Sequence, residues 1–281
     1  MWHGIKSFVK GLRNLPFRFH IKGVGTMNGK SLANLHPCVA HRGFSGKAPE
    51  NTMAAFHLAI SQAHVGWIEL DVHLSRDEVP VVIHDSTLKR TTNSEGRVID
   101  HTAEELGKLD AGSWFHSSFS SEGVPTLDEV LNATTGKCLL NVELKGDDSD
   151  HDLLAKRAVE VIRSHRLEDK IIVTSFRTDI LRAVRRYSPS LRLGLIIDER
   201  PEHLVQTLIS LDATYLSIGF RHIDETLLEQ TSEASIDVMA WTVNSIGDLR
   251  RLATRSEPFQ LCTNYPDRWL SVMKEENPSH E

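Results

Sequence analysis

Along most of the chain, short apolar runs alternate with longer stretches in which apolar residues recur at helical spacing. Runs such as Ile171-Ile172-Val173 and Leu195-Ile196-Ile197 are near-continuous, as expected of strands covered on both faces. The pattern predicts strands near 38–41, 67–73, 80–84, 138–144, 171–175, 192–197, 214–218, 237–243 and 259–263. Helices are predicted over 52–63, 126–134, 151–165, 178–187, 201–211, 224–234 and 246–255. Strands alternating with helices imply βαβ units and a parallel α/β sheet. About eight such units in a domain of about 240 residues favour a closed (β/α)8 TIM barrel. The longest interruption, 85–125, is rich in Ser, Gly and Thr and carries Trp114 and Phe115. It is expected to be a short excursion over the barrel mouth, after the second strand.

Residues 1–36 differ from the rest. They hold Lys6, Lys10, Arg13, Arg18, Lys22 and Lys30 and no acid, and the first carboxylate of the chain is Glu50. Trp2, Ile5, Phe8, Val9, Leu12 and Leu15 form an apolar stripe that Pro16 would end. The chain is therefore divided into a basic amphipathic extension, 1–36, and a barrel domain, 37–275. Three roles suit the extension: a loosely packed tail, a peripheral anchor on anionic membrane, or a cleaved organelle-targeting segment.

The net charge of −6 argues against a nucleic-acid binder, and no apolar run is long enough to span a membrane. Cys38, Cys138 and Cys262 are far apart, which excludes a disulfide framework or zinc ribbon. Their placement in apolar runs makes them core residues and suggests a reducing, cytoplasmic location, with membrane contact limited to residues 1–36.

Chemistry in a TIM barrel sits at the C-terminal strand ends, and polar groups gather there. The first strand ends in His41-Arg42-Gly43, the second carries Glu69 and Asp71, and the next ends in His84-Asp85. Glu143 and Lys145 follow on another strand, and Trp241 closes a later one. The period of two puts Glu69 and Asp71 on one face, and likewise Glu143 and Lys145. Three carboxylates converging in low dielectric would repel one another. A hard divalent cation, Mg²⁺ or Ca²⁺, relieves that conflict. The alternative is a salt-bridge network in which Arg42 and Lys145 neutralise the acids. His73 shares the Glu69 face; it is expected to be a buried hydrogen-bonding partner, with extension of the metal shell as the alternative. His57, His64, His101, His116, His151, His165, His203 and His222 are expected at the surface.

The motifs His41-Arg42-Gly43, Ala48-Pro49-Glu50-Asn51-Thr52, Glu69-Leu70-Asp71-Val72 and Val82-Ile83-His84-Asp85 resemble the signature of the glycerophosphodiester phosphodiesterase family. The resemblance runs on through Leu88–Thr92, Pro125-Thr126-Leu127, Val142–Lys145, Trp241–Asn244 and Thr263–Asp267. It implies a TIM barrel with a divalent metal at the strand ends. By position, it makes His41 and His84 an acid/base pair and Glu69, Asp71 and Glu143 metal ligands. It makes Arg42 and Lys145 phosphate contacts, puts Trp241 in the substrate pocket, and places Glu50 and Asn51 at the site edge as further substrate-side residues. The implied activity is metal-dependent hydrolysis of a small-molecule glycerophosphodiester to glycerol 3-phosphate and an alcohol. Two alternatives stand beside it: a phospholipase D-like hydrolase of lysophospholipids at a membrane surface, and a non-catalytic phosphodiester-binding barrel.

Overall fold

The computed structural model of the chain describes residues 26–27, 30–146 and 150–275. The stripe from Trp2 to Leu15, and Asp147 and Asp148 after Lys145, lie outside them.

Nine strands form one sheet: β1 (Cys38–His41), β2 (Val65–Leu74), β3 (Pro80–Val82), β4 (Leu139–Leu144), β5 (Ile171–Ser175), β6 (Arg192–Ile197), β7 (Tyr215–Gly219), β8 (Asp237–Trp241) and β9 (Gln260–Thr263). All but β3 pair in parallel, and β9 with β1 and β1 with β2 close them into a barrel. The intervening helices are α2 (Met53–Ile60), α4 (Leu127–Thr134), α5 (His151–Ser164), α6 (Thr178–Tyr187), α7 (Leu204–Ser210), α8 (Glu225–Glu233) and α9 (Ile246–Ala253). They lie where the sequence pattern predicts them, each within the predicted span and up to three residues short of an end. Their starts have local causes. Thr126 and Glu129 form a capping box on α4, and Asp150, Asp224 and Ser245 cap α5, α8 and α9.

Three helices were not foreseen. Leu32–Leu35 (α1) precedes β1, with Leu32, Ala33 and Leu35 buried. Residues 32–36 thus pack with the barrel although the sequence division puts them in the extension. Pro266–Glu275 (α10) starts at a proline, a residue favoured in a first helical turn because its missing N–H would have no partner there. Its Trp269 is fully buried, and the indole N–H donates to the His36 carbonyl at 2.9 Å. His64, expected at the surface, is buried instead: its ring stacks on Trp269, and Nε2 bonds the Pro266 carbonyl. The third, Ala103–Gly107 (α3), lies in the excursion.

That excursion is more than a loop. β2 continues beyond the barrel, and its end pairs antiparallel with β3. From there to Val124 the segment holds its own apolar cluster of Val81, Ile83, Leu88, Val98, Leu106, Ala111 and Val124. The main core lies between the barrel and the helices. A smaller one fills the barrel interior with Val39, Ile172, Tyr215, Met239 and Cys262. Gly194 faces Tyr215 there, and a Cβ on it would lie 2.8 Å from both that ring and Thr174. Cys38 and Cys262 are buried free thiols, as expected; Cys138 is half-buried, and burial pushes its thiol up to about 12.

Candidate active site

Above the interior cluster, the mouth of the barrel opens into a cavity of about 250 Å³. His41, Arg42, Glu69, His84, Glu143, Lys145 and Trp241 all line it, so strands far apart in sequence bring seven of the ten expected site residues to one space. Register explains the convergence. His41 pairs with Glu69 across β1 and β2, and Asp71 pairs with Glu143 across β2 and β4. Parallel partners share a face of the sheet, so the three carboxylates project inward together. One oxygen from each of Glu69, Asp71 and Glu143 lies within 4.8 Å of the others.

The turn after β1 is built for close approach. Arg42 and Gly43 both take positive φ, +55° and +78°. A Cβ on Gly43 would fall 2.7 Å from the Ala55 carbonyl carbon at the start of α2, which explains glycine after the arginine. The Arg42 amide donates to Glu69 Oε2 at 3.0 Å, its Nη1 donates to Glu50 Oε1 at 2.7 Å, and its Nε lies 3.2 Å from Asp71 Oδ2. Asn51, also at positive φ, donates through Nδ2 to Asp71 Oδ2 at 2.7 Å. Glu50 and Asn51 thus engage Arg42 and Asp71.

Each histidine has a fixed ring. His41 Nδ1–H donates to Asn264 Oδ1 at 2.7 Å, and its Nε2 lies 3.8 Å from Glu69 Oε2. His84 Nδ1–H donates to Asp85 Oδ1 at 2.6 Å. His73 lies beneath, its Nε2 on the His84 carbonyl at 3.0 Å, as a hydrogen-bonding partner and not a member of the acidic group. Burial, with Arg42 adding to it, lowers His41 to about 4. Burial also lowers His84, against the pull of Asp71.

With this geometry in hand, similarity to known proteins is informative. Residues 41–268 match the model of the glycerophosphoryl diester phosphodiesterase family. A glycerophosphodiester phosphodiesterase of Caldanaerobacter subterraneus is 37% identical over 218 residues, covering 76% of this chain and 88% of that protein. One of Bacillus altitudinis is 31% identical, covering 84% and 97%. The chain belongs to this family. Its members are phosphoric diester hydrolases, and so is this protein. Among solved structures, a phosphodiesterase of Oleispira antarctica, in complex with the product sn-glycerol-3-phosphate, superposes with a TM-score of 0.80 at 32% identity, covering 85% of this chain and 97% of that one.

The acidic cluster of Glu69, Asp71 and Glu143 is unevenly charged. Lys145 Nζ lies 2.5 Å from Glu143 Oε1 and 3.0 Å from Asp71 Oδ1, so Arg42 and Lys145 do pair with the acids. Two cations do not satisfy three carboxylates. Burial would raise Asp71, but Lys145 and Arg42 outweigh it and hold that carboxyl far below its usual range. Burial raises Glu143 to about 7 despite Lys145, and burial with the Asp71 charge pushes Glu69 well up. Asp71 Oδ1 is buried, with the Lys145 ammonium at 3.0 Å as its ion-pair partner. An all-oxygen donor set of three buried carboxylates, two of which resist ionising beside the third, fits a hard divalent cation.

The site also contains residues that sequence patterning did not give roles. Asn264 and Asp85 sit inside quoted motifs, but only the folded register shows that they orient the histidines. Phe176, just past β5, rims the cavity edge-to-face with Trp241, ring centroids 6.0 Å apart. Its position at a barrel strand end was the available signal.

Proposed function

We propose that the protein hydrolyses glycerophosphodiesters to glycerol 3-phosphate and an alcohol, using a bound divalent cation and the histidine pair. The observation carrying this reading is the single cavity lined by His41, His84, Glu69 and Glu143, with an Asp71 oxygen within 4.8 Å of those of the two glutamates. Those three carboxylates would hold Mg²⁺ or Ca²⁺, which supplies Lewis acidity at the phosphoryl oxygens and lowers the pKa of the nucleophile. Arg42 and Lys145 offset the phosphodiester charge and the charge that develops on it. His41, with Nδ1–H held by Asn264, presents a bare Nε2 and suits the base. It takes the proton of a water as that oxygen bonds to phosphorus, or of the neighbouring glycerol hydroxyl, which gives a cyclic phosphate that a water then opens to glycerol 3-phosphate. His84, with a carboxylate behind Nδ1–H, suits the acid, protonating the alcohol oxygen as its bond to phosphorus breaks. Trp241 and Phe176 supply the apolar wall.

That wall favours a second reading, hydrolysis of lysophospholipids, because Phe176 is 48% exposed at the rim. The deciding experiment assays purified protein on glycerophosphocholine and on lysophosphatidylcholine, with Mg²⁺, with Ca²⁺ and with chelator. Metal-restored turnover of the first carries the main reading. Preference for the second transfers it to lysolipids, and no turnover of either leaves a binding barrel.

A further inference from the structure

The two halves of the proposed machinery, proton transfer at His84 and phosphate binding at Arg42, are joined through one side chain. Arg90 donates to Asp85 through Nε at 2.7 Å and Nη2 at 2.9 Å, and to Glu50 through Nη1 at 2.9 Å and Nη2 at 2.7 Å. Asp85 in turn accepts the Nδ1–H of His84, and Glu50 accepts from Nη1 of Arg42. The sequence of contacts is His84–Asp85–Arg90–Glu50–Arg42, without a break. Arg90 comes from the excursion, on a turn fixed by the fully buried Leu88 and the Thr92 hydroxyl. Glu50 comes from the turn between β1 and α2.

We infer that Arg90 is a positioning residue that sets His84 and Arg42 relative to each other, through a guanidinium gripping two carboxylates at once. This rests on the roles proposed above for His84 and Arg42. The chemistry of the clamp is specific. A planar fork satisfies two carboxylates simultaneously, whereas an ammonium is a point charge that cannot span both in that geometry. Glu50 and Asp85, each already engaged with a site residue, would otherwise repel. Both are held below the usual carboxylate range, Glu50 by Arg90 and Arg42 against its burial, Asp85 chiefly by Arg90. A purely structural tie predicts something different: the Arg90 side chain is 44% exposed, and ion pairs that open to water add little stability.

The test compares Arg90→Ala and Arg90→Lys with wild type and with His84→Ala, measuring kcat, KM and thermal melting on glycerophosphocholine. The expected result is a kcat loss of at least about 10-fold in both Arg90 variants, since misplacement of about 1 Å costs up to about 10²-fold. KM should rise with it, as Arg42 loses its bearing, while melting barely moves. Added guanidinium at sub-denaturing concentration should restore part of the Arg90→Ala rate and none of the His84→Ala rate. Wild-type kcat and KM in Arg90→Lys would overturn the inference whatever Arg90→Ala does, including failure to fold. An active His84→Ala variant would instead overturn the roles on which it rests.

Discussion

His41 Nδ1 and Asn264 Oδ1 lie 2.7 Å apart although 223 positions separate them, so the end of the first barrel strand is tied to the end of the last. The contact fixes the ring and leaves Nε2 as the free nitrogen. Replacing either histidine by alanine is expected to lower kcat by at least about 10²-fold, the low end for general acid–base catalysis. Asn264→Ala should lower kcat less, with KM nearly constant, because substrate contacts remain. Steady-state kinetics of the three variants check this, and an unchanged kcat in Asn264→Ala removes the orienting role.

The acidic cluster gives a stability signature independent of turnover. Glu143 rises to about 7 in the folded protein from an ordinary 4.5. A raised folded value means that the native state holds its proton longer than the unfolded state does. Its stabilising contribution is therefore complete below 4.5 and is lost as pH rises through about 7. A cation that requires the ionised carboxylates reverses this. Mg²⁺ or Ca²⁺ should thus raise the melting temperature more at pH 8 than at pH 5, and Glu143→Gln should flatten the difference. Equal metal effects at both pH values would sink this linkage.

His41 has the opposite sign. Its folded value of about 4 lies below 6.5, so the native state resists protonation. Stability from this residue is complete above 6.5 and is lost as pH falls toward 4. In metal-free protein, the slope of stability against pH between those values should become shallower in His41→Gln than in wild type. Denaturant titrations at pH 4.5 and 7 measure it.

Chelation is expected to abolish turnover, and Mg²⁺ or Ca²⁺ to restore it. Glu69→Gln should remain folded and inactive at saturating metal. Full activity of the exhaustively chelated wild type rules out the cation.

For the extension, two truncations are compared, because Leu32, Ala33 and Leu35 are buried. Removing 1–31 should leave turnover and melting unchanged while reducing co-sedimentation with anionic vesicles. Removing 1–36 should also destabilise the barrel. It takes away Leu32 and Leu35, both buried, at about 1.5–3 kcal/mol for each large apolar side chain. Equal vesicle binding by full-length and shortened protein ends the anchor idea.

Much of this was legible before folding was considered. The period of two alone put Glu69 with Asp71 and Glu143 with Lys145, and continuous apolar runs marked the buried strands. What the chain hides is set by register and by distant packing. Nothing local says that Asn264 meets His41, or that His64 turns inward to stack on Trp269. The helix Pro266–Glu275 lies outside every predicted element, although Pro266 and Asp267 mark its first turn. The excursion lacked strong periodicity because its small cluster draws single residues from many short turns.

That small cluster has a bearing on how the molecule fails. His84, Asp85 and Arg90 ride on a segment with its own apolar centre, held to the barrel through the pairing of β3 with the end of β2, the Ile83 amide on the Asp71 carbonyl, and the Arg90 contacts to Glu50. Segments with separate packing open sub-globally, at lower free energy than the whole. His84, proposed above as the acid, would therefore come loose while the barrel is still intact. On warming, activity should be lost ahead of the helical circular dichroism, and amide exchange should report first from residues 83–124.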